Sequence, residues 1–385
     1  MKVLILGMDG YLGWPTTLRM IYRGHKVFGI DNLYKRKQLQ KDKTISAFKI
    51  KNIKQRISHL RKYLKNVPTF FETSVLDLSK LNKILLRIKP DVIFNFAHIP
   101  SAQYSMASAE RCIETWRNNT EGNLNILWAM KENSPKTHLI QLGTMGEYGT
   151  PNVPIPEGYF EYKSKDGKFR DKLLFPRQAG SFYHQSKVAN THNMTMACKM
   201  WDLKVTDIMQ GIIYGTKTPE VEKFDSKTMF YFDEMFGTVI NRMVASVIMK
   251  HPLPVYGKGK MTRGILSLTD AMDCYELIMK NPARLGEYRI INQFDEAKSV
   301  RQMANEIIIV AKKNRYKPKI KFYKNPRIEK EKHIYKPETK WLKNHGYKRN
   351  YMFSETIDIM LKDVVTSKLR LQKYRHVIAP KTKWK

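Results

Sequence analysis

Gly7-Met8-Asp9-Gly10-Tyr11-Leu12-Gly13 follows an apolar, β-branched stretch over residues 3–6 and leads into a helical pattern from about Leu12 to Arg23. In this GxxGxxG spacing, Gly7 permits a tight turn, Gly10 lets the backbone approach a pyrophosphate, and Gly13 lets the helix pack closely on the sheet. The N-terminus of that helix supplies amide donors and the positive end of a dipole. Because the glycines lie between a strand and a helix, they predict a dinucleotide-binding unit.

The segments beyond this turn alternate between strand-like and helix-like patterns. Strands are predicted over residues 26–30, 70–71, 91–97 and 139–142, and helices over 81–88, 119–131 and 181–200. Such alternation implies right-handed crossovers and a Rossmann-type, doubly wound parallel sheet. We expect that domain to comprise residues 1–210, with a basic insertion at 33–66 and returning segments from the C-terminal half. Residues 211–385 are expected to form mainly a smaller lobe with a basic tail, and residues 151–176 an ordered excursion over a site.

Two carboxylates are candidates for binding the adenosine half of the dinucleotide. Asp31 ends the second predicted strand, near the position where such a group binds the adenine-ribose hydroxyls. A carboxylate there repels a 2′-phosphate, so NAD is favoured over NADP, although Lys35 and Arg36 lie nearby. Asp77 follows the third strand and either accepts a hydrogen bond from the adenine amino group or caps a helix.

Positive charge is concentrated in two parts of the chain, whose formal net charge is +34. Residues 33–66 hold twelve Lys or Arg against Asp42 alone, and residues 312–385 hold twenty-three against six acidic residues. Such segments attract anionic ligands, acidic partners or nucleic acid, or form a solvated lysine-rich surface. No zinc-finger or RRM signature accompanies them, so we expect no specific nucleic-acid partner.

Cysteine usage and hydropathy indicate the compartment. Cys112, Cys198 and Cys274 are widely spaced, match no zinc pattern and are predicted to be reduced thiols. No stretch approaches the roughly 20 apolar residues that cross a bilayer, so membrane insertion is not expected. The first core strand is predicted from Val3, which leaves no room for a cleavable leader. We therefore expect a cytoplasmic protein.

Tyr183 and Lys187 are four residues apart, on one face of a predicted helix. A free phenol has a pKa of about 10 and is a poor base at neutral pH. A neighbouring ammonium, together with the positive charge of the oxidised nicotinamide, favours the phenolate. Tyr183 could then take a proton from a sugar hydroxyl while hydride leaves the same carbon. Thr144, at the end of the strand over 139–142, is expected to hydrogen-bond that oxygen.

Eight stretches keep the same linear order as in one family: GYLGW (10–14), LGTMGEYGTPN (142–152), SFYHQSK (181–187), QGIIYG (210–215), FGTVINR (236–242), VYGKG (255–259), NQF (292–294) and NPR (325–327). In them the chain resembles the extended short-chain dehydrogenases that act on nucleotide sugars and, among these, the family that makes the sulfolipid headgroup. The resemblance spans about residues 1–365. It implies that the smaller lobe binds the nucleotide sugar.

The resemblance also implies a reaction. NAD oxidises C4 of UDP-glucose, the ketone acidifies the C5 hydrogen, and water leaves C6. Sulfite then adds at C6 and the hydride returns to C4, which gives UDP-sulfoquinovose. Related 4,6-dehydratases carry an Asp-Glu pair after the catalytic Thr, whereas this chain has Met145 and Gly146, with Glu147 one place later. Glu147 and His184 are therefore the candidate acid and base, and Met145 and Gly146 leave an uncharged site for an entering sulfite dianion.

Further positions follow from the family pattern. The resemblance implies cofactor contacts at Asp9, Tyr11, Leu12, Asn32, Leu78, Ala97 and Asn119, in addition to the residues given above. It implies substrate contacts at Gln103, Tyr104, Ser105, Gln210, Asn241, Arg242, Val255 and Tyr256. Arg263 and Arg327 are predicted diphosphate clamps, because guanidinium groups bind phosphate oxygens in forks. In the plant-type pattern an Arg precedes Ser-Ala-x-Tyr-Ser, but here the residue is Pro100.

Three alternatives remain at this point. A UDP-hexose 4-epimerase or a 4,6-dehydratase would use the same scaffold without needing sulfite. A non-catalytic NAD-binding sensor has no need of Thr144, Tyr183 and Lys187 together. A nucleic-acid binder would show a steep salt dependence that UDP-glucose leaves unchanged. Homodimers or higher homo-oligomers are common in the resembling family and are expected here.

Overall fold

The chain is organised around a seven-stranded parallel sheet, and the computed structural model describes residues 1–325, 335–379, 381 and 384. The strands within the described residues are β1 (Lys2–Leu6), β2 (Lys26–Asp31), β3 (Thr69–Glu72), β4 (Val92–Asn95), β5 (His138–Leu142), β6 (Tyr159–Lys163), β7 (Arg170–Leu174), β8 (Lys204–Gln210), β9 (Ile212–Tyr214), β10 (Leu253–Tyr256), β11 (Thr262–Ser267), β12 (Tyr288–Gln293), β13 (Glu296–Ser299) and β14 (Ile320–Tyr323).

The α-helices of the same residues lie between these strands and after them. They are α1 (Gly13–Tyr22), α2 (Tyr34–Lys41), α3 (Ile53–Leu60), α4 (Leu78–Ile88), α5 (Ala102–Ser105), α6 (Ala109–Trp116), α7 (Gly122–Asn133), α8 (Phe182–Trp201), α9 (Pro219–Lys223), α10 (Val239–Ile248), α11 (Leu268–Lys280), α12 (Val300–Lys313), α13 (Lys340–Asn344), α14 (Phe353–Val364) and α15 (Lys368–Gln372). No helix in the described ranges is long and apolar enough to span a bilayer.

The order of the large sheet is β12-β8-β5-β4-β1-β2-β3, and all of its pairs are parallel. Strand β1 lies near the centre, so its residues 3–6 are buried on both faces and read as a continuous apolar run. The order reverses direction between β1 and β4, which opens a crevice at the carboxyl ends of the strands. The predicted Rossmann-type fold is confirmed.

Segments from the second half of the chain return to this sheet. Strand β12 pairs with β8 along its whole length, from Tyr288 opposite Val205 to Gln293 opposite Gln210. Helix α11 shares a core with β1, in which Tyr275 and Phe94 are packed ring against ring. The first 210 residues therefore do not complete the sheet by themselves.

The smaller lobe has its own apolar core and two small sheets. Strands β9, β11 and β13 form one sheet, and β10 pairs with β14 in the other. Helices α10, α12 and α14 pack against each other through fully buried side chains, among them Met243, Ile307 and Met360. This core holds β11, which carries Arg263, at the edge of the crevice.

The basic insertion forms α2 and α3, and α3 begins with a reciprocal cap between Asn52 and Gln55. Two of its cations point inward. Arg56 is buried and donates to Asp9 Oδ1 at 2.8 Å, and Arg36 Nη2 donates to the same oxygen at 3.0 Å. The insertion therefore also supports the glycine turn, which a purely solvated surface would not do.

The excursion over residues 151–176 is an antiparallel hairpin of β6 and β7. Phe175, at its base, packs edge-on against Tyr148 and Phe160. Ile155 is buried, and its amide donates to the carbonyl of Lys336 in the C-terminal part of the chain. The prediction that this segment lies over a site is wrong, because none of residues 151–176 lines the crevice, and the segment contacts the C-terminal part of the chain instead.

Candidate active site

A cavity of about 440 Å³ lies at the carboxyl ends of the sheet strands, between the large sheet and the smaller lobe. The sheet side contributes the glycine turn and the residues that follow β2, β4 and β5. The lobe side contributes Gln210, Arg242, Tyr256 and Arg263. Ligands of open α/β sheets bind in such a crevice at the point where strand order reverses. The predicted cofactor and substrate residues thus largely meet in one place.

The glycine turn leaves no room for side chains. Gly7 has φ 81°, and a Cβ there would lie 2.8 Å from the carbonyl of Phe96. A Cβ on Gly13 would lie 2.0 Å from the oxygen of Gly7. These glycines permit close packing within the turn, and Gly7, Gly10 and Gly13 line the cavity next to the start of α1, where a pyrophosphate would bind. Tyr11 and Leu12 also line the cavity.

Asp31 ends β2 at the cavity wall beside Asn32. Its carboxylate accepts from the backbone amides of Asp9, at 2.9 Å, and Leu33, at 2.7 Å. Burial and the nearby Asp9 raise the pKa of Asp31 to about 6, against the effect of those two bonds. The side chain of Asp9 is held by Arg36 and Arg56, and its backbone amide is engaged by Asp31.

Thr144, Tyr183 and Lys187 meet at the cavity. Thr144 follows β5, and its hydroxyl interacts with the Tyr183 phenol, a contact that lowers the pKa of Tyr183. Burial and Glu147 outweigh this contact and raise the pKa of Tyr183. The Lys187 ammonium donates to the carbonyl of Leu142 at 2.6 Å and lies 6.0 Å from the centre of the Tyr183 ring. Burial lowers the pKa of Lys187 to about 7.

The position of Lys187 corrects one step of the sequence argument. We expected its ammonium to lower the pKa of Tyr183, and helical spacing does bring both residues to one cavity. The carbonyl at the end of β5 holds the ammonium instead. A long, flexible side chain binds the nearest acceptor, which spacing along a helix does not specify.

His184 lies beside this set, at the start of α8. Its Nδ1 shares a hydrogen bond with the hydroxyl of Ser181, the N-cap of the helix, at 3.1 Å. Its Nε2 faces Gly146, where a Cβ would approach to 2.3 Å. The small residue at 146 therefore makes room for the imidazole, a packing reason that the sequence argument did not include. Met145 lines the same part of the cavity.

Glu147 lies behind the cavity wall, with no exposed surface. Its carboxylate accepts from the Thr144 amide at 3.3 Å and from the Thr191 hydroxyl at 2.9 Å. Arg177 lies 3.8 Å away. Burial, followed by repulsion from Asp207, raises the pKa of Glu147 to about 7. Of the two candidate acid–base residues, His184 lines the cavity and Glu147 does not.

Four predicted substrate contacts lie away from the cavity surface. The Ser105 hydroxyl accepts from the Tyr183 amide at 3.0 Å, and the Tyr104 hydroxyl donates to Glu114 at 2.6 Å. Asn241 is buried in α10 and bonds to Tyr11, and Val255 is fully buried in the core of the lobe. These residues support cavity residues from behind, whereas Gln103 lines the cavity itself.

Three predicted cofactor contacts are also placed elsewhere. Asp77 caps α4 by accepting from the Lys80 amide, the alternative role considered for it, and the adjacent Leu78 is exposed. Asn119 is buried and accepts from the Ile99 amide at 2.8 Å. Ala97, in contrast, lines the cavity. Arg327, a predicted diphosphate clamp, lies outside the described residues.

Sequence reasoning missed several cavity residues. Tyr335 lines the cavity and accepts from the Gly264 amide at 2.9 Å, although it lies seventy-one positions further along the chain. His98 lines it next to Ala97, and Lys35 of α2 and Phe236 line it as well. Phe236 stands in one of the quoted stretches, which is the signal that could have identified it.

Comparisons with known proteins agree with this geometry. The family model described as the NAD dependent epimerase/dehydratase family matches residues 3–292. A UDP-sulfoquinovose synthase of Sulfolobus acidocaldarius is 41% identical over 96% of this chain and 94% of its own length. The chloroplastic UDP-sulfoquinovose synthase of Spinacia oleracea is 37% identical over 96% of this chain and 77% of its own. A UDP-glucose 4-epimerase from Bifidobacterium longum, solved in complex with NAD⁺ and UDP, superposes with a TM-score of 0.72 at 15% identity, covering 97% of this chain and 100% of that one; it shows a shared fold.

Proposed function

The chain belongs to the NAD dependent epimerase/dehydratase family and, within it, to the UDP-sulfoquinovose synthases, and we propose that it forms UDP-sulfoquinovose from UDP-glucose and sulfite. The observation that carries the proposal is the meeting of Thr144, Tyr183 and His184 in one cavity, with Met145 where a dehydratase would have an aspartate. These residues suit oxidation of the sugar at C4 together with loss of water and addition of sulfite at C6.

The residues present fit NAD. The glycine turn would hold the pyrophosphate, and Asp31 with Asn32 would hold the adenine ribose, where a 2′-phosphate would be repelled. Bound NAD supplies the acceptor that takes a hydride from C4 and later returns it, and its oxidised ring adds positive charge. We propose that the first 210 residues, completed by β12, hold this cofactor, and that the remainder mainly holds the UDP-sugar.

Tyr183 is the proposed base for the C4 hydroxyl. Its phenol and the Thr144 hydroxyl interact, so a sugar oxygen between them can accept from one group and donate to the other. Lys187, held by the Leu142 carbonyl, fixes the end of β5 against α8. Proton removal from the hydroxyl accompanies the loss of hydride from the same carbon.

His184 is the proposed acid–base group for loss of water across C5 and C6. It lines the cavity, and its bond to Ser181 fixes the ring, whereas Glu147 has no surface towards the substrate. The C4 ketone acidifies the C5 hydrogen, and a protonated imidazole can deliver a proton to the departing C6 hydroxyl. The uncharged Met145 and Gly146 leave that end of the site open to an anionic nucleophile.

The lobe side of the cavity is the proposed UDP site. Arg242 and Arg263 line it, and guanidinium groups bind diphosphate oxygens in forks. The Gln210 amide lies between the Tyr275 hydroxyl and Gln293, which fixes its orientation towards the sugar. Tyr256 stacks near Arg242, with the guanidinium 5.6 Å from the ring centre.

Partners and compartment are proposed on separate grounds. We propose a homodimer or higher homo-oligomer, supported by apolar side chains that remain exposed on α6 and α7, among them Ile113, Trp116 and Trp128. The three cysteines are free thiols, which supports a reducing compartment such as the cytoplasm.

Product analysis tests the proposed function. Purified protein is incubated with UDP-glucose, with and without sodium sulfite, and the nucleotide sugars are weighed by mass spectrometry. A sulfonated UDP-hexose that forms only with sulfite is the expected result, and a Tyr183→Phe variant is the matched control. UDP-galactose or a dehydrated UDP-sugar formed regardless of sulfite would identify an epimerase or a dehydratase and refute the sulfonation.

A further inference from the structure

Lys35 places a buried positive charge on the cavity wall. It lies in α2 and lines the cavity. Its Nζ is buried and has no hydrogen-bond partner within the described residues. The ammonium lies 2.7 Å from the centre of the Phe236 ring and 5.4 Å from that of Tyr231. Two aromatic faces attract a cation but satisfy none of its three N–H donors.

The neighbouring carboxylates do not pair with this ammonium. Asp42 accepts from Arg111 at 2.5 Å. Glu114 accepts from the hydroxyls of Tyr34 and Tyr104 at 2.9 and 2.6 Å.

Asp233 is the remaining carboxylate near Lys35. One of its oxygens accepts the amides of Met235 and Phe236. The other is buried without a partner in the described chain, and no ion pair with Lys35 forms. Burial lowers the pKa of Lys35 to about 7, and Asp233, Asp42 and Glu114 only partly offset this. A buried donor that lacks a partner costs stability, which an anionic ligand would recover.

The ammonium is connected through Phe236 to the segment that departs from the plant-type pattern. Phe236, which it contacts, packs on Tyr104 with ring centres 5.3 Å apart. The hydroxyl oxygen of Tyr34, adjacent to Lys35 in sequence, lies 2.9 Å from that of Tyr104. Pro100 lines the same cavity in place of the arginine of that pattern, and it offers neither charge nor donor.

We propose that Lys35 is an anion-binding residue of the cavity, whose ammonium receives an oxyanion and supplies the charge that position 100 lacks. The oxyanion is either the incoming sulfite or a phosphate of the dinucleotide, two sources with the same chemistry. The sulfite assignment rests on the proposed function, whereas the phosphate assignment does not. Lys35 binds and orients the anion and takes no covalent part.

Three variants test this role. Lys35→Met keeps the length of the side chain and removes its charge. Lys35→Met with Asp233→Asn also removes the negative charge of Asp233, whose second oxygen has no partner in the described chain, so that folding is protected. Lys35→Met with Pro100→Arg moves the charge to the neighbouring segment, and Lys35→Arg is the conservative control. A role confined to packing would not be rescued by a charge at position 100.

Each variant is measured in three ways on NAD-loaded protein. The KM for sodium sulfite is determined at saturating UDP-glucose, and retention of NAD is determined after gel filtration. The rise in Tm on adding sodium sulfate, an oxyanion that does not react, reports binding without turnover. For Lys35→Met we expect the affinity for either sulfite or NAD to fall at least tenfold. Lys35→Arg and the double variant with Pro100→Arg should recover that affinity to within threefold of the wild type.

The outcomes identify the source of the anion. A raised sulfite KM with a lost sulfate shift and unchanged NAD retention assigns the oxyanion to sulfite, and lost NAD retention alone assigns it to a phosphate. Sulfite, sulfate and NAD affinities all within twofold of the wild type would overturn the proposal. A wild-type protein that makes no sulfonated sugar refutes the proposed function, while the sulfate and NAD measurements still decide the role of Lys35.

Discussion

A methyl group at position 146 would collide with the imidazole of His184. An ideal Cβ on Gly146 lies 2.3 Å from Nε2 and 2.5 Å from Cδ2, and ordinary contact begins at 3.4 Å, so the ring must retreat by about 1 Å. Its Nδ1 bond to Ser181 opposes that movement. Displacement by about 1 Å can cost about 10²-fold in rate, or about 2.7 kcal/mol of transition-state stabilisation. Gly146 has no positive φ, so Gly146→Ala should fold normally.

The assay compares kcat/KM for the sulfonated product in four proteins: wild type, Gly146→Ala, His184→Ala and the double variant. We expect Gly146→Ala to lose about 10²-fold, with a Tm close to that of the wild type. In the His184→Ala background the ring is gone, so the same methyl group should cost less than about twofold. Equal losses in both backgrounds, or full activity of Gly146→Ala, would refute the argument that 146 is small to admit the imidazole.

Three further results are expected. Tyr183→Phe should lower NAD reduction by UDP-glucose at least about 10²-fold, since it removes the proposed base, and a near-normal absorbance rise at 340 nm would exclude Tyr183. Arg263→Ala should raise the KM for UDP-glucose about tenfold or more and leave NAD retention unchanged; an unchanged KM would mean that Arg263 does not bind the diphosphate. Glu147 has its pKa raised from 4.5 to about 7, so the folded state holds the extra proton and the free energy of unfolding falls as pH rises through that window. Glu147→Gln should flatten this fall in urea unfolding at pH 5 and pH 7, and an identical slope would contradict the assigned pKa.

The large sheet was predictable because its signals are local. An apolar run, a glycine turn and a helical pattern occur within the first 23 residues, and the same alternation recurs through β5. The boundaries of the helices were less predictable. The helix predicted from residue 119 begins at Gly122, after a π-helical turn over Arg117–Glu121. That turn places the Asn119 side chain where it accepts from the Ile99 amide, a tertiary bond without a pattern in sequence.

The position of a site residue was predictable where one short stretch of sequence contains both the residue and the strand or helix that positions it. Thr144 follows a strand and Tyr183 starts a helix, so motif spacing brought both to the cavity. Contacts between distant segments could not be read in this way. The burial of Arg56 against Asp9 joins residues forty-seven positions apart, and it depends on how the insertion folds over the glycine turn. The number of charged residues predicted a basic surface for that insertion, because a count of charges does not show which side chains point inward.

The hydrogen bond of Lys187 bears on how Tyr183 could act as a base. Its ammonium is engaged by the Leu142 carbonyl, and within the described residues the Thr144 hydroxyl lowers the pKa of Tyr183, while burial and Glu147 raise it. The phenol is therefore a weak base within the protein's own charges. We expect the positive charge of bound oxidised cofactor to favour the phenolate, which would couple proton removal from the C4 hydroxyl to cofactor binding. An enzyme that must return the same hydride would gain from this coupling, because Tyr183, as the proposed base, would be activated most while the hydride acceptor is in place.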